Sequence, residues 1–303
     1  MKLINNIKTS LLKILIKINP SWEINRYYKF AFGKKANLQN PETLIEKIYW
    51  MQLHCDTSEW TLLADKYRVR DYISNRGFSD YLPKLYGVWE NPELIDFDNL
   101  PNEFVIKANN GCKSVVIIKD KSKVDIPSLK RQMKEWIKSP FGYSGFEPHY
   151  LSIKPCIIAE ELLTQDDYLQ IISPESMVDF KFWSFNGHVE CCFVAYNRTE
   201  NHLSIDLYDT QWNRLLNSLK NFKNDKVNPN ITIPKPKCLN EMLKIASVLS
   251  KGHPQMRVDF YIVDGKPVIG ELTMSSGYGY FTEEYYKYLG SLTDVNIIPL
   301  KNE

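Results

Sequence analysis

The chain has 303 residues, 44% of them hydrophobic and 24% charged, which describes a folded chain with room for two or three subdomains and excludes a disordered or fibrous one. A formal charge of +2 excludes a general nucleic-acid-binding surface, although residues 1–40 carry eight Lys/Arg against the single acid Glu23. The six cysteines (Cys55, Cys112, Cys156, Cys191, Cys192 and Cys238) form no C-x-x-C pair and no metal-finger spacing with the five histidines, which fits reduced thiols in a cytoplasmic protein.

Leu11–Ile18 is apolar but broken by Lys13 and Lys17, short of the ~20 residues of a membrane span, and no signal-type cleavage site follows. Two fates are open to it: a basic amphipathic helix on the inner face of a membrane, or a helix packing its Leu/Ile stripe on the domain. Asn40 and Pro41 predict a helix start, and a second helix is predicted over Leu62–Asn75, stopped by Gly77. Tyr81–Trp89 reads as a short strand, and Asn99-Leu-Pro101 marks a subdomain boundary near residue 100.

From Phe104 the texture changes. Phe104–Ala108 and Ser114–Lys119 are β-branched runs joined by a polar loop, Asn109-Asn110-Gly111-Cys112-Lys113, which predicts a hairpin. A helix is predicted over Asp125–Lys138, and Ile157-Ile158-Ala159 is a buried strand ending in Glu160 and Glu161. Asn186-Gly187 predicts a tight hairpin between Asp179–Phe185 and His188–Ala195, with Asp179, Lys181 and Trp183 on one face and, of Cys191 and Cys192, one facing in and one out. Residues 200–237 are polar and Pro-punctuated and read mainly as loop; Leu239–Leu249 carries a helical stripe closed by Gly252. With hairpins interleaved with helices and no βαβ repeat, the fold class is α+β.

The most informative run is Arg257–Thr273. A hairpin turning at Asp264-Gly265 places Asp259 opposite Glu271 and Arg257 opposite Thr273, all on one face. Opposed like charges need a neutraliser, and Mg²⁺ is typically held by one or two carboxylates with substrate phosphates completing its shell. Arg257 is then placed for a phosphate or a substrate carboxylate. The competing reading is a solvated hairpin face carrying an ordinary Arg–Glu pair.

Lys107, Glu160-Glu161, Lys181, Arg257-x-Asp259 and Glu271-x-Thr273, in this order, resemble the ATP-grasp superfamily. Leu63–Tyr72, Phe104–Gly111, Asp179–Gly187, Arg257–Tyr261 and Gly270–Thr273 resemble, closer still, the TupA-like ATP-grasp proteins of bacterial surface-polysaccharide loci. The resemblance implies two α+β subdomains clasping ATP, a lid over 104–165 and a catalytic unit over 166–303. They would be preceded by a helical or α+β unit over 35–103 and the basic segment 1–34.

It further implies that Lys107 and Lys181 meet the α- and β-phosphates, and that Asn110, Gly111 and Lys113 close over them. Glu160 and Glu161 would meet adenine; Asp167, or equally Asp166, the ribose. Asp259 and Glu271 would hold Mg²⁺, with Thr273 where many relatives carry Asn. The implied activity is a carboxylate–amine ligase working through an acyl phosphate, joining an amine or amino acid to a uronic acid of a surface glycan or its precursor. Arg257 and Lys181 would serve the reacting groups. Two other readings stand beside it: a glycosyltransferase using Asp96-Phe97-Asp98 against a nucleotide sugar, and a nucleotide-binding protein without turnover.

Overall fold

The structure is a computed structural model, and it describes residues 13–139, 141–220, 227–228 and 230–301. Among them lie helices α1 (Pro20–Phe32), α2 (Leu44–His54), α3 (Ser58–Ala64) and α4 (Val69–Ser74), followed by strands β1 (Leu85–Trp89), β2 (Phe104–Ala108) and β3 (Val115–Ile118). Then come α5 (Ile126–Lys138), β4 (Ile157–Glu160), α6 (Asp167–Ile172), β5 (Asp179–Phe185), β6 (His188–Tyr196) and β7 (Ser204–Asp209). The chain closes with α7 (Leu239–Ser250), β8 (Met256–Val263), β9 (Lys266–Thr273) and α8 (Glu283–Ser291). Residues 11 and 12 of the Leu11–Ile18 run lie outside the described residues; 13–18 are helical, with Ile16 buried and Ile14, Leu15 and Ile18 exposed.

Two antiparallel sheets organise the chain: a small one in the order β1-β4-β2-β3 and a large one in the order β7-β6-β5-β8-β9. β1 thus joins the small sheet from ahead of the boundary read near residue 100. Central β4 is buried throughout, which is why its Ile-Ile-Ala run shows no alternation. Helix α5 packs its Leu129 and Met133 on the small sheet, while α7 packs against β5, β6 and β8 of the large one.

Four local expectations are corrected. The helix read from Asn40 is α2, whose N-cap is Thr43, not Asn40: Thr43 accepts from Glu46 N, and the Glu46 carboxylate takes the amides of Asn37, Glu42 and Thr43. The stretch over Leu62–Asn75 is two helices, because Asp65 Oδ1 accepts from the amides of Tyr67 and Arg68 and turns the chain between them. Residues 204–209 form β7 rather than loop; Asp206 is fully buried there and paired with Arg214 at 2.7 Å. Cys191 and Cys192 are both buried, because the large sheet is covered on both faces where they lie.

Candidate functional site

The β8–β9 hairpin has the expected register, Arg257 opposite Thr273 and Asp259 opposite Glu271, with Asp264 and Gly265 at positive φ in the turn. A bulge at Gly270 follows the acid pair; a Cβ there would come 2.9 Å from the Tyr261 ring. Glycine therefore lets the strand shift register beside the two acids.

Their neutralisers within the chain are cations. Arg257 binds Asp259 bidentately, Nε to Oδ1 and Nη2 to Oδ2 at 2.7 Å each, and also donates to Thr273 Oγ1 at 3.0 Å. Lys181 Nζ reaches Asp259 Oδ2 at 2.6 Å, from the neighbouring strand β5. Glu271 takes Lys66 Nζ at 3.1 Å and stands 3.9 Å from Arg257. Burial opposes the charge on Asp259, yet Arg257 and Lys181 outweigh it and hold its carboxyl below the ordinary range; Glu271 is likewise lowered against burial by Lys66. Both acids are therefore anionic at neutral pH.

Lys107 and Lys181 rest on acids of the protein, not in a shared group. Lys107 binds Glu160 Oε2 at 2.5 Å, and Arg70 takes Glu160 Oε1 at 3.0 Å. Lys66, Arg70, Lys107, Glu160 and Glu271 line one cavity between the sheets, of only about 20 Å³. That is room for about one water.

Asn110 and Gly111 are buried, whereas Lys113 is exposed at positive φ. The loop is anchored through Asn109, whose amide donates to Asp65 Oδ1 and Lys154 O and accepts from Cys156 N. Lys66 Nζ also donates to Gly111 O at 2.8 Å, joining the loop and Glu271 through one cation. Glu161, Asp166 and Asp167 line a second, open cavity of about 510 Å³ with the Asp264-Gly265 turn. There the Asp166 carboxylate accepts from Gly265 N at 3.1 and 3.2 Å, while Asp167 opens α6 and is exposed.

The sequence reading missed Lys66, Arg70 and Glu147. The first two follow the Asp65 turn, the point where one continuous helix was expected. Glu147 sits in the connection between α5 and β4; burial pushes its carboxyl up to about 7, against a hydrogen bond from Ser275 Oγ at 2.6 Å. Asp96-Phe97-Asp98 is a surface turn in which Asp96 accepts from Asp98 N and Asn99 Nδ2, so its carboxylate is committed locally.

Two opposed carboxylates are a hard-oxygen pair of the kind Mg²⁺ uses with phosphates. Among the described residues no cluster of three His, Cys, Asp or Glu side chains could hold a metal. The donor set fits Mg²⁺ bound together with a nucleotide, and Asp259 and Glu271 are the residues that would hold it.

The family described as TupA-like ATPgrasp matches residues 46–293, and the chain belongs to it. It is thereby an ATP-grasp protein. No curated protein sequence matches the chain. Among solved structures it is similar to the D-alanine–D-alanine ligase of Bacillus anthracis complexed with ATP, at 14% identity and TM-score 0.49, covering 86% of this chain and 75% of that one. The ATP-grasp ligase PsnB complexed with its minimal precursor is 11% identical at TM-score 0.41, covering 79% and 62%. D-cycloserine synthetase DcsG is 13% identical at TM-score 0.41, covering 76% and 69%. These likenesses are distant, and family membership rests on the sequence match. No helix among the described residues is long and apolar enough to cross a membrane.

Proposed function

We propose that the protein joins an amine or amino acid to a carboxylate, in particular a uronic acid of a bacterial surface polysaccharide or its precursor. The observation that carries the chemistry is the opposed pair Asp259/Glu271, ringed by Lys66, Lys181 and Arg257. The substrate class is supported by the resemblance to TupA-like proteins of surface-polysaccharide loci.

The substrate carboxylate attacks the terminal phosphorus of ATP, giving an acyl phosphate and ADP; the amine nitrogen then displaces phosphate and forms the amide. Bound Mg²⁺ supplies charge neutralisation for the terminal phosphates. As the cleft admits nucleotide, Lys181 and Arg257 exchange part of their bonding to Asp259 for the anionic groups that approach. Lys107 turns from Glu160 to an α- or β-phosphate, and Asn110, Gly111 and Lys113 cover the chain of phosphates. Glu160 and Glu161 meet adenine where β4 ends, and the adjoining cavity of about 510 Å³ offers Asp167 or Asp166 to the ribose. Thr273 orients Arg257 and adds a hydroxyl to the metal face. Units 104–165 and 166–303 close on the nucleotide and exclude water, which would hydrolyse the acyl phosphate.

The test is purified protein with Mg-ATP, glucuronate-bearing glycan and an amino-acid pool, followed for ADP, with hydroxylamine added to trap an acyl phosphate as a hydroxamate. ADP release that requires the carboxylate, with hydroxamate formed, is expected. ADP release indifferent to the carboxylate, or UDP release from a UDP-sugar, would overturn the reading. The exposed Ile14, Leu15 and Ile18 beside Lys13 and Lys17 support contact with an anionic inner-membrane surface. A chain beginning at Pro20 is expected to lose binding to anionic vesicles, and equal binding by both forms would remove that part.

A further inference from the structure

A cavity of about 700 Å³ lies apart from the nucleotide cleft, between α1, α2, the connection carrying Glu147 and the loop that leaves β9. Its walls are largely aromatic, with Tyr49 and Tyr278 among them, and Gln52, Ser144, Glu147, Lys220, Ser275 and Ser276 also line it, Lys220 Nζ donating to Ala31 O at 3.2 Å. Three observations give it chemistry. Gln52 is 1% exposed, yet neither its amide nitrogen nor its amide oxygen has a hydrogen-bond partner; Ser276, 6% exposed, has an equally unpartnered hydroxyl. Buried polar groups of this kind are destabilising unless something pairs with them. Glu147 accepts from Ser275 on one oxygen, and no Lys or Arg of the described residues forms an ion pair with it.

The cavity is linked to the acid pair through its wall residues. Ser275 stands two residues beyond Thr273, and the negative charge of Glu271 is felt at Glu147. Phe141 forms part of the cavity wall and packs on the nucleotide-side loop, where a Cβ on Gly111 would come 3.1 Å from it. A ligand here therefore has one end beside the loop that faces the phosphates.

We propose that this cavity binds the amine substrate of the ligase, with the Glu147 carboxylate and the aromatic wall receiving its ammonium group and Gln52 and Ser276 pairing with polar groups on its body. A carboxylate lacking its own cation, set among aromatic faces, selects a cation over a neutral isostere. Glu147 disfavours an anionic group at its own end of the cavity, while Arg257 and Lys181 are the cations that face the acid pair. The proposal rests on the ligase reading of the acid pair.

The test uses the full chain and two isosteric probes, benzylamine and benzyl alcohol, with binding followed by calorimetry and ligand-detected NMR at about pH 8, where Glu147 is ionised. The amine is expected to bind at least tenfold more tightly than the alcohol, and Glu147→Gln is expected to erase that preference while leaving the alcohol unchanged. Equal binding of the two probes by the unsubstituted protein, or an amine preference that survives Glu147→Gln, would overturn the proposal. The first comparison stands even if the variant fails to fold. Glu271→Gln separates this inference from the reading beneath it. If that variant keeps its carboxylate-dependent ADP release, the ligase site is wrong; if it loses turnover yet keeps its amine preference, both stand.

Discussion

Glu271→Gln is expected to lower carboxylate-dependent ATP turnover by about 10²–10³-fold, the scale at which loss of one preorganised charge contact to a reacting group is felt. The same change is expected to leave stability nearly unaltered. The Glu271 side chain is 30% exposed, and its one close ion pair is with Lys66, which also holds Gly111 O. A glutamine still accepts from Lys66, and exposed or half-exposed pairs contribute little. Urea unfolding and steady-state ADP release on one preparation check both halves. A variant that unfolds early would make the acid structural, and one that turns over normally would remove it from the metal site.

Asp259→Asn is expected to act differently, losing activity and about 3 kcal/mol of stability together. Its carboxylate is 4% exposed and takes three charge-assisted bonds, two from Arg257 and one from Lys181, whose side chains are only 12% and 13% exposed. Neutralising it leaves two nearly buried cations facing an amide. The pH dependence follows from the sign of its shift. Because the folded-state value is depressed below the ordinary 3.8, the stabilisation is present above that pH and is lost as pH falls through the folded value. In Asp259→Asn the acid side of the stability profile is therefore expected to flatten. Equal stability of the Asp259 and Glu271 variants would contradict the division of roles between the opposed acids.

Much of the arrangement was legible because hairpins declare themselves locally. Asp264-Gly265 and Asn186-Gly187 set the turns, a two-residue period put Asp179, Lys181, Asp259 and Glu271 on defined faces, and the observed registers agree. What failed was set by tertiary contact. The strand at 204–209 hides behind Ser204 and Asp206, polar residues that are buried because Arg214 and Tyr208 pair with Asp206. Asp65 reads as one more helical residue until its carboxylate caps the next turn and reaches Asn109, 44 positions away. Lys66 and Arg70 owe their place to that turn. Glu147 carries no local signal at all: its burial and its partner Ser275 come from a segment 128 residues distant.

The lysines rest on protein acids, Lys107 on Glu160 and Lys181 on Asp259, and the cavity lined by Glu160 and Glu271 holds about 20 Å³. On the proposed reading, Glu160, Asp259 and Glu271 already hold the charges that a nucleotide would meet. Nucleotide binding then competes with ion pairs already made, so affinity is set by the difference between the two sets of contacts.

The most direct measurement is a titration of Mn²⁺, standing in for Mg²⁺, into protein carrying a non-hydrolysable ATP analogue, followed by electron paramagnetic resonance of the free ion. Tight uptake that requires the nucleotide and weakens at least tenfold in folded Glu271→Gln is the predicted result. Uptake of the same strength in both proteins would contradict the assignment of the cross-strand acids to the metal.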